Sequence, residues 1–185
     1  MMSSILSFSG PKLTTRRLTL AALLVALQVI LGKLSVGDPA VLKVGLGFIA
    51  TAIIGYYLGP WIGGLAMVVA DLNSNLLLSN GTMFFPGFTF SAFISGVIAG
   101  MFLYQQPVTL PRALAYEFFQ ILITNVFFNT FWLYLMSMTS SSTVHSFMAL
   151  LSVRIIKEVI SWPIEGLVVY LILRRAQRLN LRIPN

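Results

Sequence analysis

Four basic side chains stand inside, or at the edges of, long apolar runs: Lys33, Lys43, Arg154 and Lys157. A cation at membrane depth costs about a few kcal/mol on insertion scales and usually serves a function. Two such pairs on one side of a membrane can draw carboxylates or phosphates through charge-assisted hydrogen bonds. Plainer readings exist for each pair. Lys33 and Lys43 also fit solvated loop charges, and Arg154 and Lys157 also fit partners of Asp71 or Glu158, because buried charges must be paired with something. Asp71, followed by Asn73 and Asn75, offers a planar acceptor suited to a heterocycle with parallel N–H donors, or else to an internal salt bridge. Asn125, Asn129 and Trp132 recur at i, i+4 and i+7, hence on one helix face. Amides and an indole on one stripe fit a binding wall, or hydrogen bonding between helices. Phe84, Phe85 and Phe88 can stack on a ring system or anchor at the membrane interface. Taken together, these residues describe a site for a small anionic solute.

The elements that hold them are transmembrane helices. The chain has 185 residues, 57% hydrophobic and 9% charged, with a mean hydropathy of +0.89. A soluble domain carries roughly a quarter charged residues, so lipid must be the solvent here. A spanning helix needs about 20 apolar residues, so about six or seven fit and no separate soluble domain does. The reading is an all-α membrane protein, residues 1–185 forming one substrate-binding domain of six transmembrane helices in a compact bundle.

The first helix covers Leu18–Leu31, after Thr14, Thr15, Arg16 and Arg17. It resembles a signal peptide, but no A-x-A pattern follows, so it reads as an uncleaved span. A loop runs from Ser35 to Lys43. The apolar stretch from Val44 to Val69 is broken at Leu58-Gly59-Pro60, which separates a short second helix, Val44–Leu58, from a third, Trp61–Leu78. Ser79-Asn80-Gly81 marks a turn. The fourth helix opens at Phe84-Phe85-Pro86-Gly87 and runs to Tyr104. The fifth covers Ala113–Met138, and Thr139–Thr143 reads as a loop. The sixth covers Val144–Arg175, long enough for tilt or a kink at Pro163.

Lys12, Arg16, Arg17, Arg112, Arg174, Arg175, Arg178 and Arg182, eight of the twelve basic residues, fall on one side of this arrangement. That side is therefore cytoplasmic, with both termini on it, and Lys33, Lys43, Arg154 and Lys157 are the exceptions. Cysteine is absent and His145 stands alone, which excludes disulfides, thiolate catalysis and a His-built metal site. There is no phosphate loop and no HExxH pair. The chain is expected not to be an enzyme and to need no cofactor, metal or nucleic acid. Energy for uphill movement would come from a partner or an ion gradient. Ala22 and Ala26 form a small-xxx-small step on the cytoplasmic half of the first helix, suited to close approach of another helix, whether a partner's or one within the bundle.

With these residues in place, the chain resembles the substrate-binding S components of energy-coupling factor vitamin transporters. The resemblance covers essentially the whole chain. It is carried by the size, the six-helix hydropathy, the alanine step, the short second helix and the segment from Gly63-Gly64 through Asp71. Within that family it is most similar to the folate-specific component. The segments that carry this are Phe84-Phe85-Pro86-Gly87-Phe88-Thr89 with Ser91-Ala92-Phe93, Asn129-Thr130-Phe131-Trp132-Leu133, and Arg154 with Lys157 and Pro163. The resemblance implies a multi-pass protein of the cell membrane that captures a vitamin from outside with high affinity. It implies docking, through Ala22 and Ala26, on a shared transmembrane coupling subunit carried with two ATPase subunits, and toppling in the lipid to deliver the cargo.

Folate suits the residues: Asp71 or the amides would meet the pterin, Phe84, Phe85, Phe88 and Trp132 the rings, and Lys33, Lys43, Arg154 or Lys157 the glutamate tail. Riboflavin, pantothenate and thiamine remain as other vitamins, though each leaves either the cations or the aromatic cluster unused. From other classes, a self-sufficient carrier or a channel stays open, whereas an intramembrane enzyme lacks its nucleophile, base or metal. The eight-to-four split of basic residues generates a first prediction. Tags at residue 1 and residue 185 should both be protected in intact cells, and labelling of either from outside would invert the topology.

Overall fold

A computed structural model of the chain describes residues 6–8, 10–36, 44–77, 84–139 and 147–178. Helix α1 (Thr15–Lys33) begins where the Thr14 side chain accepts from the Arg17 backbone N–H at 3.4 Å, and its last turn carries Lys33. The segment after α1 pairs back on itself: β1 (Ser35–Val36) lies antiparallel to β2 (Val44–Gly45), with Ser35 opposite Gly45. The second helix therefore starts at Gly47, not at Val44. Apolarity alone does not tell a strand residue from a helical one over so short a run. Lys43 lies outside the described residues.

Helix α2 (Gly47–Leu72) contains the expected break. Gly59 takes φ 73° and ψ −175°, a conformation open to glycine, and Pro60 supplies no N–H to continue the ladder. A π-helical stretch, Asn73–Leu77, extends its far end. Helix α3 (Pro86–Leu103) starts with proline in its first turn. Helix α4 (Leu110–Gln120) begins one residue before Pro111, three residues earlier than expected. It continues without a loop through a second π-helical stretch, Ile121–Phe128, into α5 (Asn129–Thr139). Helix α6 (Phe147–Arg178) runs through Pro163 as one element.

Among the described residues, four stretches are long and apolar enough to cross a membrane: Thr15–Lys33, Gly47–Asn75, Pro86–Leu103 and Leu110–Met136. The fold is thus an all-helical, multi-pass membrane fold with one two-residue ladder. Fewer stretches qualify than the six spans expected from the sequence, for two physical reasons. The parts of α2 on either side of Gly59 count as one run, and α6 is interrupted by Arg154, Lys157, Glu158 and Glu165.

Helices α2 and α3 make the most extensive contact, and α1 packs mainly on α2. One apolar cluster joins Ala52, Tyr56, Ala99, Leu103, Tyr116, Val169 and Leu173 from α2, α3, α4 and α6. Another joins Leu24 of α1 to Ile54, Leu58, Ala66 and Met67 of α2. The residues before α1 lie across the α2 break: the Trp61 indole donates to the Phe8 carbonyl at 3.1 Å, and the Ser7 N–H donates to the Met101 carbonyl at 2.8 Å.

At the α2–α3 crossing, a Cβ on Gly100 would stand 2.2 Å from the Pro60 nitrogen and 2.3 Å from the Gly59 carbonyl carbon. Backbone cannot yield as a side-chain tip can. Gly100→Ala should therefore destabilise the detergent-solubilised protein by about 1–3 kcal/mol, read as a lower melting temperature. Gly32→Ala, which meets nothing within 4 Å, should cost nothing by the same measurement.

Candidate functional site

The helices enclose two adjoining cavities of about 350 and 290 Å³, which share Gln28, Gly32, Met67 and Ala92 as a common wall. These volumes suit a small organic ligand. The larger is lined by α1 (Gln28), α2 (Gly47, Phe48, Thr51), α3 (Phe88, Ser91, Ser95), α4 (Tyr116, Glu117, Gln120), α5 (Asn129) and α6 (Lys157, Glu158, Glu165), with Thr124 and Asn125 from the stretch between α4 and α5. The smaller is lined by Lys33, Ala70, Asp71, Ser74 and Asn75. Both π-helical stretches contribute lining residues: Ser74 and Asn75 from one, Ile121, Thr124 and Asn125 from the other. Such wide turns occur frequently at functional sites.

Of the residues singled out from the sequence, Phe88, Asn125, Asn129 and Lys157 line the larger cavity, and Lys33 and Asp71 line the smaller. Lys33 Nζ donates to the Ser74 carbonyl at 3.5 Å. Asp71 takes neutral donors instead of a cation: Asn75 Nδ2 at 2.9 Å on one oxygen and Thr89 Oγ1 at 2.7 Å on the other. The internal salt bridge considered for Asp71 does not form among the described residues. Lys157 Nζ stands 3.9 Å from Glu158 Oε1, and Asn125 Nδ2 donates to both Glu158 oxygens at 3.5 Å. Arg154 donates to the Asn125 carbonyl at 3.4 Å, which sets it beside the lining.

Trp132 stands one layer back. Its indole donates to Ser91 Oγ at 2.8 Å, and its ring packs against Phe85 and Phe128 with centroids 5.7 and 6.1 Å away. The predicted stripe of Asn125, Asn129 and Trp132 therefore splits. The two amides face the cavity, and the indole, three residues after Asn129 in α5, braces the wall behind Ser91. Phe85 also meets Phe88 edge-on at 5.9 Å, whereas Phe84 is largely outside this cluster and exposed.

Sequence reasoning missed Glu117 and Glu165. With Asp71 and Glu158, they bring four of the chain's five acidic residues to the cavity walls. The signal was present, since a carboxylate in an apolar helix is itself a mark of function. It also missed the polar brace opposite: Thr51 Oγ1 donates to Gln28 Oε1 at 3.3 Å, and Gln120 Nε2 donates to Ser95 Oγ and, at 3.4 Å, to Thr124 Oγ1.

On the outside, Ala22 lines a groove of about 480 Å³ between α1 and α2, with Leu13, Leu18, Ala21, Val25, Ile62, Leu65, Ala66 and Val69. Ala22 and Ala26 are both exposed, so their small side chains are not spent on packing within the bundle.

The chain is similar to known proteins over most of its length. The chain is 30% identical over 161 residues to the Folate transporter FolT of Clostridium novyi, covering 86% of this chain and 89% of the relative. It is 34% identical over 164 residues to the Folate transporter FolT of Leuconostoc mesenteroides, covering 88% and 87%. Among solved structures, the crystal structure of FolT bound with folic acid superposes with a TM-score of 0.71 at 30% identity, covering 84% of this chain and 90% of that one. The profile of a family described as "ECF transporter, substrate-specific component" matches residues 16–173. The chain is therefore a member of the ECF transporter substrate-specific component family.

Proposed function

We propose that this protein is the folate-binding S component of an energy-coupling factor transporter and takes up the vitamin without itself catalysing a reaction. The observation that carries this reading is the pair of adjoining cavities. They lie within apolar helices and are walled by amides, carboxylates, one aromatic face and flanking cations. Likeness to folate transporters over most of the chain supports the same ligand. Arg154 and Lys157, with Lys33 at the smaller cavity, supply positive charge for a glutamate tail. Phe85, Phe88 and Trp132 supply an aromatic wall for the rings, with Asn125 and Asn129 as polar contacts. Asp71, Phe84 and Lys43 complete the set that the sequence nominates.

The reading includes six spans within one domain, with α2 counted as two helices about Gly59, cytoplasmic termini and residence in the cell membrane. It also includes docking on a shared transmembrane coupling subunit that works with two ATPase subunits. The exposed groove at Ala22 is apolar and includes Ala21 and Ala66, and Ala26 lies exposed one turn on in α1, which suits close approach by a partner helix. Replacing Ala22 or Ala26 by phenylalanine should abolish uptake in cells while leaving folate binding to the purified protein unchanged. A parallel loss of binding would assign the alanines to the bundle's own packing.

The tail assignment has its own test. Losing one charge-assisted hydrogen bond costs about 1.5–3 kcal/mol, or roughly ten- to a hundredfold in affinity. Arg154→Ala should weaken folate by that order and a bare pterin, which lacks the glutamate tail, far less. Equal losses for both ligands in a folded variant would remove Arg154 from the tail. Wild-type protein that binds riboflavin or thiamine and neither folate nor pterin would overturn the folate assignment and leave the family membership standing.

A further inference from the structure

Glu117 is the most deeply buried acid among the described residues, with 0% of its surface exposed, and it lines the larger cavity. Neither carboxylate oxygen has a hydrogen-bond partner among the described residues. No cation of the cavity serves it: Lys157 lies against Glu158 at 3.9 Å, and Arg154 donates to a backbone carbonyl. The other acids facing the same space, Glu158 and Glu165, add negative charge instead of relieving it. A third acceptor stands one turn away. Gln120 spends its amide nitrogen on Ser95 and Thr124, which leaves Oε1 buried and without a partner. The wall at this point therefore offers three unmatched acceptor oxygens. A buried acceptor without a donor carries its full desolvation penalty, so whatever fills the cavity gains most by bringing N–H groups to it.

We propose that Glu117 recognises the donor edge of the ligand, its carboxylate accepting a side-by-side pair of N–H groups such as the ring N–H and exocyclic amine of a 2-amino-4-oxopyrimidine. The second N–H of that amine meets Gln120 Oε1, so three donors answer three acceptors. This inference rests on the folate reading above and assigns which residue reads the heterocycle. It also displaces Asp71 from that role, because both oxygens of Asp71 are already engaged by Asn75 and Thr89. Lys33 lines only the smaller cavity and Glu117 only the larger, which sets the donor edge and that cation in different chambers.

The test pairs a variant with an altered ligand, using the full-length purified protein in detergent and calorimetric titration. Glu117→Gln keeps the shape of the side chain but turns one acceptor into a donor that faces the ligand's donors. Folic acid should bind this variant about a hundredfold more weakly, the loss of two charge-assisted bonds at about tenfold each. Against wild-type protein, 2-desaminofolic acid should bind at least about tenfold more weakly than folic acid, and Glu117→Gln should cost this analogue much less. p-Aminobenzoylglutamate, which lacks the heterocycle, should bind wild type and variant alike and thereby report that the variant is folded.

Unchanged folic acid affinity in Glu117→Gln would overturn the assignment, and so would equal losses for all three ligands. Should the variant fail to fold, the wild-type arm decides alone. Equal affinity for folic acid and 2-desaminofolic acid removes Glu117 from the heterocycle while the folate reading stands. Failure of wild-type protein to bind folic acid at all removes both.

Discussion

A charge inside a bilayer has no water to fall back on, and this constraint organises the molecule. Each ionised group among the helices must be answered by a partner, a cavity or a ligand, or its insertion cost goes unrecovered. The described structure shows the first two answers. Glu158 is met by Lys157 and Asn125, and Asp71 by Asn75 and Thr89, while Glu117 faces a cavity with its oxygens unmatched. The surrounding packing serves these positions. The tight α2–α3 crossing at Gly100 fixes the two helices that carry Thr51, Asp71, Phe88 and Ser95, and α6 holds its acids against α4.

Much of this was legible in the sequence, where local chemistry and spacing suffice. The break at Leu58-Gly59-Pro60 was readable because proline and glycine act on their own backbone. The candidacy of Lys33, Asp71, Asn125, Asn129 and Lys157 followed from the scarcity of polar groups in apolar runs, and these residues do line the cavities. The partners of Asp71 were half legible: Asn75 lies four residues on, whereas Thr89 comes from another helix and no spacing reveals it. Glu117 and Glu165 stand out less, because the orientation rule weighs cations and an acid does not break it. The β1–β2 ladder and the place of Trp132 were not legible, since two residues make no period and the Ser91 that takes the indole comes from another helix.

The two π-helical stretches show how a continuous helix can still change which face it presents. From Leu110 to Thr139 the chain never leaves helical structure, yet the wide turns at Ile121–Phe128 shift the register between its halves. Gln120 and Asn125 both reach the cavity across that shift, and Phe127 and Phe131 stack on the outside at 6.4 Å. Such widened turns are frequent at functional sites, and both here border the polar cavities.

Helix α1 is a thin wall with two tenants. One side carries Gln28, Gly32 and Lys33 to the cavities, and the other side carries Ala22 to the outer groove. Only 17% of its span is buried, and α2 is its main neighbour. A stiff rod of 19 residues transmits displacement along its whole length. The same helix is therefore a boundary of both the groove and the cavities. Thermodynamically the traffic is symmetric: to whatever extent occupancy on one side reshapes the rod, occupancy on the other is felt in equal measure.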